Sequence, residues 1–120
     1  MSENLITLQS KIADFCRARD WDQFHGAKDL GIGLVTEASE LLEIFRFQSD
    51  QQVAELFNGP RRSDIEDEMA DVLFFLLRMA QRYDVDLPAA LKSKMKKNEE
   101  KYPVEKAKGS NKKYNQFDPS

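Results

Sequence analysis

Cysteine and histidine each occur once in this chain of 120 residues, as Cys16 and His25. A single cysteine excludes an intrachain disulfide and fits a reducing cytoplasm. A single histidine excludes a histidine-rich metal site and any di-iron bundle that needs two Glu-x-x-His pairs. No apolar run reaches the roughly 18 residues that a membrane helix needs. The opening Met-Ser-Glu-Asn lacks the basic-then-apolar order of a signal peptide. A cytoplasmic protein with no membrane partner is therefore expected. Strong charge of one sign is missing too. A net charge of −3 gives no general reason to bind a nucleic acid polymer or an anionic surface. Neither an internal repeat nor an alternating strand pattern is present. What remains is 41% hydrophobic and 32% charged, the composition of one soluble globular domain.

Helical periodicity fills that domain, and the fold class is all-α. Leu5, Leu8, Ile12 and Phe15 place a first helix from about Asn4 to Arg19, with Cys16 packed on its apolar face. Residues 20–28 break the pattern and read as a loop. Leu30, Leu34, Ala38, Leu41, Leu42 and Phe45 mark a second amphipathic helix. A short helix over Ser49–Phe57 precedes the Asn58-Gly59-Pro60 break. Ser63, with Glu66 three residues on, has the capping-box pattern for a third helix, and Asp64 and Asp67 suit its N-terminal dipole. Met69, Val72, Leu73, Leu76, Ala80 and Tyr83 form its main stripe, which Phe74, Phe75, Leu77 and Met79 widen almost all the way round. A helix apolar on nearly every side is expected to be covered on every side, and in so short a chain the simplest cover is a partner subunit. Asp86 and Pro88 start a fourth helix, whose stripe Leu87, Leu91, Met95 turns polar at Asn98 and Tyr102. Past Pro103 the periodicity stops. Lys106, Lys108, Lys112 and Lys113 fall there, so a domain over 1–105 and a polar, mobile tail over 106–120 are expected.

The chemistry points to two carboxylate pairs, Glu37-Ala38-Ser39-Glu40 and Glu68-Met69-Ala70-Asp71. A three-residue step sets both members of a pair on adjoining turns of one helical face. One such pair is usually a solvated surface. Two pairs, each bordering an apolar stripe, suggest four carboxylates brought to one point. Like charges do not gather without a cation, and oxygen-only ligands suit Mg²⁺ or Mn²⁺. Glu43 faces away from the stripe, toward solvent or Arg46, and Glu66 is accounted for as a cap. Taken as residues alone, Trp21 reads as a packing anchor and His25 as a satisfied hydrogen-bonding group. Asn98 is different, because an amide aligned with an apolar stripe must find partners where it is buried.

The same residues resemble a known family. Glu37-x-x-Glu40-Leu-x-Glu43 followed by Asp67-Glu68-x-Ala70-Asp71-Val72 resembles the metal motif of the all-α nucleoside triphosphate pyrophosphatases, the MazG-like group. Arg19-Asp20-Trp21-Asp22-Gln23-Phe24-His25 resembles the segment before that motif in the deoxycytidine triphosphate pyrophosphatase branch. Ser93-Lys94-Met95-x-x-Asn98-x-x-Lys101-Tyr102-Pro103 resembles the last helix of that branch. The resemblance spans roughly residues 5–110. It implies a four-helix-bundle-like fold and Mg²⁺-dependent hydrolysis of a nucleoside triphosphate to the monophosphate and pyrophosphate. It also implies a homodimer or a dimer of dimers. Glu37, Glu40, Glu68 and Asp71 would hold the metal and carry catalysis, with Glu37 or Glu40 orienting the attacking water. Trp21, His25, Lys28, Lys94, Asn98, Lys101 and Tyr102 would line the substrate pocket, and Phe47 stands where relatives often carry Trp. The Asn98 amide would match the Watson–Crick edge of cytosine, with Trp21 and Phe47 stacking on the ring. Thr36, Ala27 and Asp29 depart from the common pattern, as Phe47 does; these leave the metal motif intact and bear on base preference. The expected activity is that of a house-cleaning pyrophosphatase acting on dCTP or a modified dCTP. Two rivals stand beside it. One is a phosphoribosyl-ATP pyrophosphatase of the same fold. The other is a non-catalytic helical dimerisation module, which Mg²⁺ and nucleotide together would not stabilise.

Overall fold

The computed structural model describes residues 4–117, all helices, turns and loops with no strand among them. The N-terminal Met-Ser-Glu, read above for a leader, lies outside that range. The chain divides into two compact units, the first ending at Asp84 and the second starting at Val85.

Among the described residues, the first unit holds four α-helices. Helix α1 (Leu5–Ala18) starts where the Asn4 side chain accepts the Thr7 N–H at 2.9 Å. A 3₁₀ turn over Asp22–Phe24 follows, and α2 (Ala27–Phe45) begins before the expected loop is over. Lys28 therefore lies on the first turn of α2. Gly26 caps that end with no side chain of its own. The Ala27 N–H instead donates to the Tyr83 hydroxyl at 2.7 Å, which satisfies one of the N–H groups a helix start leaves open.

Short α3 (Asp50–Leu56) carries a capping box, Ser49 with Gln52, which the sequence analysis did not single out. The box expected at Ser63 does not form. Helix α4 (Arg62–Arg82) starts two residues earlier than expected, with Arg61 rather than Ser63 as N-cap and no side-chain cap bond. The cause is the turn before it, where the Arg62 N–H donates to the Gly59 carbonyl at 3.1 Å and commits the chain to helix ahead of Ser63. Asp64 then pairs with Arg61 at 2.7 Å and Glu66 with Arg62 at 3.6 Å, so Glu66 is a surface partner rather than a cap. The expected Glu43–Arg46 pair is present at 3.4 Å.

Helix α4 packs along α2 and against α1. Ala13, Cys16, Leu30, Ile65, Leu77 and Ala80 form the buried core. Helix α2 comes close to α4 at Gly33, where a Cβ would lie only 2.4 Å from the Phe75 ring. Glycine here is a requirement of distance, not of backbone angle. The chain does not wrap α4 as its sequence suggests. Met69, Leu73 and Leu76 stay exposed on one side of it, as do Ile32, Val35 and Leu42 on α2.

The second unit consists of α5 (Leu87–Lys101), one further turn α6 (Val104–Ala107) and a 3₁₀ turn over Tyr114–Gln116. Asp86 caps α5 as expected, accepting the Ala89 N–H at 3.0 Å, with Pro88 in the first turn. The stretch read as a polar tail contains packed aromatics. Tyr102 meets Tyr114 and Phe117 edge-on at 6.2 Å and 5.7 Å, and Lys101 Nζ lies 4.8 Å from the Tyr114 ring centre.

Candidate functional site

Two helices bring the acids together. Helix α2 supplies Glu37 and Glu40, one turn apart, and α4 supplies Glu68. Each offers a carboxylate oxygen, and these oxygens all lie within 4.8 Å of one another. Glu40 is exposed, whereas Glu37 and Glu68 are half-buried. One oxygen of each half-buried acid, Oε2 of Glu37 and Oε2 of Glu68, is cut off from solvent and has no hydrogen-bond partner. A buried polar atom without a partner is unfavourable unless something else satisfies it. Asp71 stands outside the group of three and is exposed. Its charge nevertheless acts on both half-buried acids.

The electrostatics follow from that crowding. Glu37 shares a hydrogen bond with Glu40, which holds a proton on it. Burial and the charges of Glu40, Asp71 and Glu68 add to this, raising its pKa from 4.5 to about 7. Burial first, then the Glu40 charge, pushes Glu68 above the usual carboxylate range. Three oxygen donors, two of them with orphaned atoms, fit a hard divalent cation. Such an ion would replace the shared proton and satisfy both orphans.

The other expected site residues in the first unit divide between two places. Trp21 and His25 lie together at the start of α2, their ring centres 5.9 Å apart, and Phe15 meets the Trp21 edge at 5.6 Å. Trp21 is thus a packing anchor on one side while remaining partly exposed. Lys28 is exposed on the first turn of α2. Phe47, just past the end of α2, is 88% exposed and holds a left-handed backbone (φ 65°), with Arg46 stacked 4.5 Å from its ring centre. In the second unit, Lys94 and Lys101 are exposed and Asn98 and Tyr102 half-buried.

Sequence reasoning missed Arg78. It sits within the apolar run of α4 and is 1% exposed. Its Nε–H donates to Nδ1 of His25 at 2.9 Å, one terminal nitrogen donates to Gln81 at 2.7 Å, and the other is bound to Asp22. That bond holds the Asp22 carboxyl below the usual range. The signal was one arginine inside ten otherwise apolar or neutral positions, since a buried guanidinium requires a carboxylate.

Comparison with known proteins places this geometry. The sequence profile of the MazG-like family matches residues 32–117. The chain is 41% identical over 103 residues to dCTP pyrophosphatase 1 of Rattus norvegicus, covering 85% of this chain and 61% of that protein. It is 40% identical over 106 residues to dCTP pyrophosphatase 1 of Homo sapiens, covering 88% of this chain and 62% of that protein. It thus spans about three fifths of the length of these curated relatives. A crystal structure of a pyrophosphatase from Archaeoglobus fulgidus superimposes with a TM-score of 0.79 at 34% identity, covering 86% of this chain and 95% of that one. An all-α chain in which three acids meet across two helices, and which the family profile matches from α2 to Phe117, belongs to the MazG-like family.

Proposed function

We propose that this chain is a Mg²⁺-dependent nucleoside triphosphate pyrophosphatase that converts dCTP or a modified dCTP to the monophosphate and pyrophosphate. The observation that carries the proposal is the pair of orphaned oxygens on Glu37 and Glu68, within reach of Glu40. Its relatives named dCTP pyrophosphatase support the substrate. Glu37, Glu40 and Glu68 hold the ion, and Asp71 adds negative charge at the rim. A bound divalent ion supplies Lewis-acid polarisation of the attacked phosphoryl group and lets a triphosphate approach the acids. Glu40, the exposed member, orients the attacking water. Trp21 and His25 form a second cluster before α2, Lys28 on the first turn of that helix adds a positive charge, and Phe47 offers an exposed aromatic face for stacking. The substrate roles of Lys94, Asn98, Lys101 and Tyr102 rest on the resemblance of their helix to the family's last one.

The exposed apolar faces of α2 and α4 support a homo-oligomer, a second copy covering Met69, Leu73 and Leu76. The one cysteine, free and buried, suits a reducing cytoplasm.

Phosphorus NMR of a dCTP reaction, with and without Mg²⁺, tests the proposal. Pyrophosphate and dCMP should accumulate only with the ion. Orthophosphate as the first product, or turnover undiminished in chelator, overturns it.

A further inference from the structure

The Arg78 cluster lies outside the group of acids, and it ties the turn before α2 to α4. Arg78 is nearly sealed from solvent, and three of its donors are used, each on a different residue. Two of those acceptors, Asp22 and His25, lie 56 and 53 residues away in the turn that leads into α2. Arg82 reinforces the turn, donating to the Asp22 carbonyl at 3.2 Å. The guanidinium therefore determines where the turn sits and also which imidazole nitrogen carries hydrogen. An arginine Nε–H can only donate. Nδ1 of His25, at 2.9 Å, must accept, so it carries no proton. In a neutral imidazole the hydrogen is then on Nε2.

We infer that Arg78 is a positioning residue that fixes His25 as the neutral Nε2–H tautomer, making it a constant hydrogen-bond donor beside the Trp21 ring for an acceptor oxygen of the nucleotide. The inference rests on the proposed function for the identity of the ligand, but not for the tautomer. Charges around the ring favour the neutral form. Burial opposes protonation, Arg78 and Arg82 oppose it further, and Asp22 and Asp29 offset part of that, leaving the pKa of His25 lowered. A protonated ring would place a second N–H against the Arg78 donor. A donor held in one tautomer keeps the same polarity throughout the neutral pH range, as recognition of a carbonyl or phosphate oxygen requires. The acceptor is either the cytosine carbonyl or a phosphate oxygen, which share this chemistry.

The test uses the whole chain labelled with ¹⁵N. With one histidine, the imidazole nitrogens give a single unambiguous pair of signals. At neutral pH Nδ1 should appear unprotonated and coupled through the hydrogen bond to Arg78 Nε, with the proton on Nε2. A proton on Nδ1, a charged ring, or absence of the coupling overturns the inference in the wild type, without recourse to any variant. In Arg78→Lys, which keeps the charge but loses the fork, the coupling should vanish and kcat/KM for dCTP should fall about ten- to a hundredfold, as when a tautomer-fixing partner is removed elsewhere. Arg78→Met should additionally raise the His25 pKa. Deoxycytidine and tripolyphosphate, added separately, distinguish the sources of the oxygen. A shift of Nε2–H with the nucleoside alone assigns the base, and a shift with tripolyphosphate alone assigns the phosphates. No shift with either overturns the donor role. A protein that shows the coupling but hydrolyses no triphosphate retains the tautomer assignment and loses the proposed function.

Discussion

Two glycines on α2, two residues apart, make a controlled comparison. Gly31 has nothing within 4 Å of where a Cβ would go, whereas a Cβ on Gly33 would meet three atoms of the Phe75 ring at 2.4–2.8 Å. Replacing either with Ala gains the same helical preference, about 0.5–1 kcal/mol. The difference between the two variants therefore isolates the clash. Non-bonded carbons prefer about 3.5–4.0 Å, so the ring or the helix must move by about 1 Å. Phe75 cannot swing freely, because the Phe74 ring stands against it edge-on at 5.4 Å. Overpacking of this size typically costs about 1–3 kcal/mol. Gly31→Ala should thus be more stable than wild type in urea unfolding, and Gly33→Ala should lie about 1–3 kcal/mol below Gly31→Ala. Adding Phe75→Leu should recover part of that deficit, a coupling that a double-mutant cycle reads directly. Gly33→Ala lies one turn before Glu37, so it should also weaken Mg²⁺ binding by moving α2 off α4. If both single variants stabilise equally, the account of how these helices meet is wrong.

Glu68→Gln should make the cation-free protein more stable, because it removes one of three crowded carboxylates, and should abolish turnover. A Mg²⁺ concentration a hundred times Kd should stabilise wild type by about 2.7 kcal/mol and this variant far less, as thermal shifts will report. The pH dependence of the cation-free protein has a definite sign. The pKa of Glu37 is raised from 4.5 to about 7 in the folded state, so its proton contributes stability in full below about pH 4.5 and this is lost as pH rises through about 7. Tm without Mg²⁺ should fall across that window, and the ion should restore it above pH 7; a shallower profile in Glu37→Gln, with the Glu68 contribution left, is the control. Leu73→Asp places a charge on the exposed face of α4 and should leave a monomer by light scattering, whereas a wild-type monomer would remove the case for a second copy.

Periodicity located α1, α2 and α4 because each turns apolar residues to the core; the α5 stripe was legible too, although Leu91 and Met95 stay exposed, and Asp86 with Pro88 marked a start that the structure keeps. Ser63 misled because its pattern was local, while the start of α4 is decided by the turn at Gly59. The apolar run of α4 was visible, but not which side of it the chain would leave open. For the site, spacing within a helix was legible and spacing between helices was not. Hence Glu37, Glu40 and Glu68 meet as expected while Asp71 stands apart. Arg78 carried a local signal, a lone charge in an apolar run, but two of its three partners, Asp22 and His25, are more than fifty residues away and nothing local indicates them.

The Tyr83 hydroxyl at the head of α2 acquires another meaning from what lies further along the same two helices. Ala27 meets Tyr83, Gly33 meets Phe75, and Glu37 with Glu40 meets Glu68, so α2 and α4 run antiparallel with their contacts in ladder order. One end of the ladder is tied by a hydrogen bond and the middle is wedged by a ring. Further along, the two helices bring like charges together. The like charges are thus held between two packed stretches, Tyr83 and Phe75 on one side and the buried Ile65 on the other, and a divalent ion would relieve their repulsion. Amide exchange in the cation-free protein should accordingly be quicker around the acids than around Tyr83, and added Mg²⁺ should slow it there.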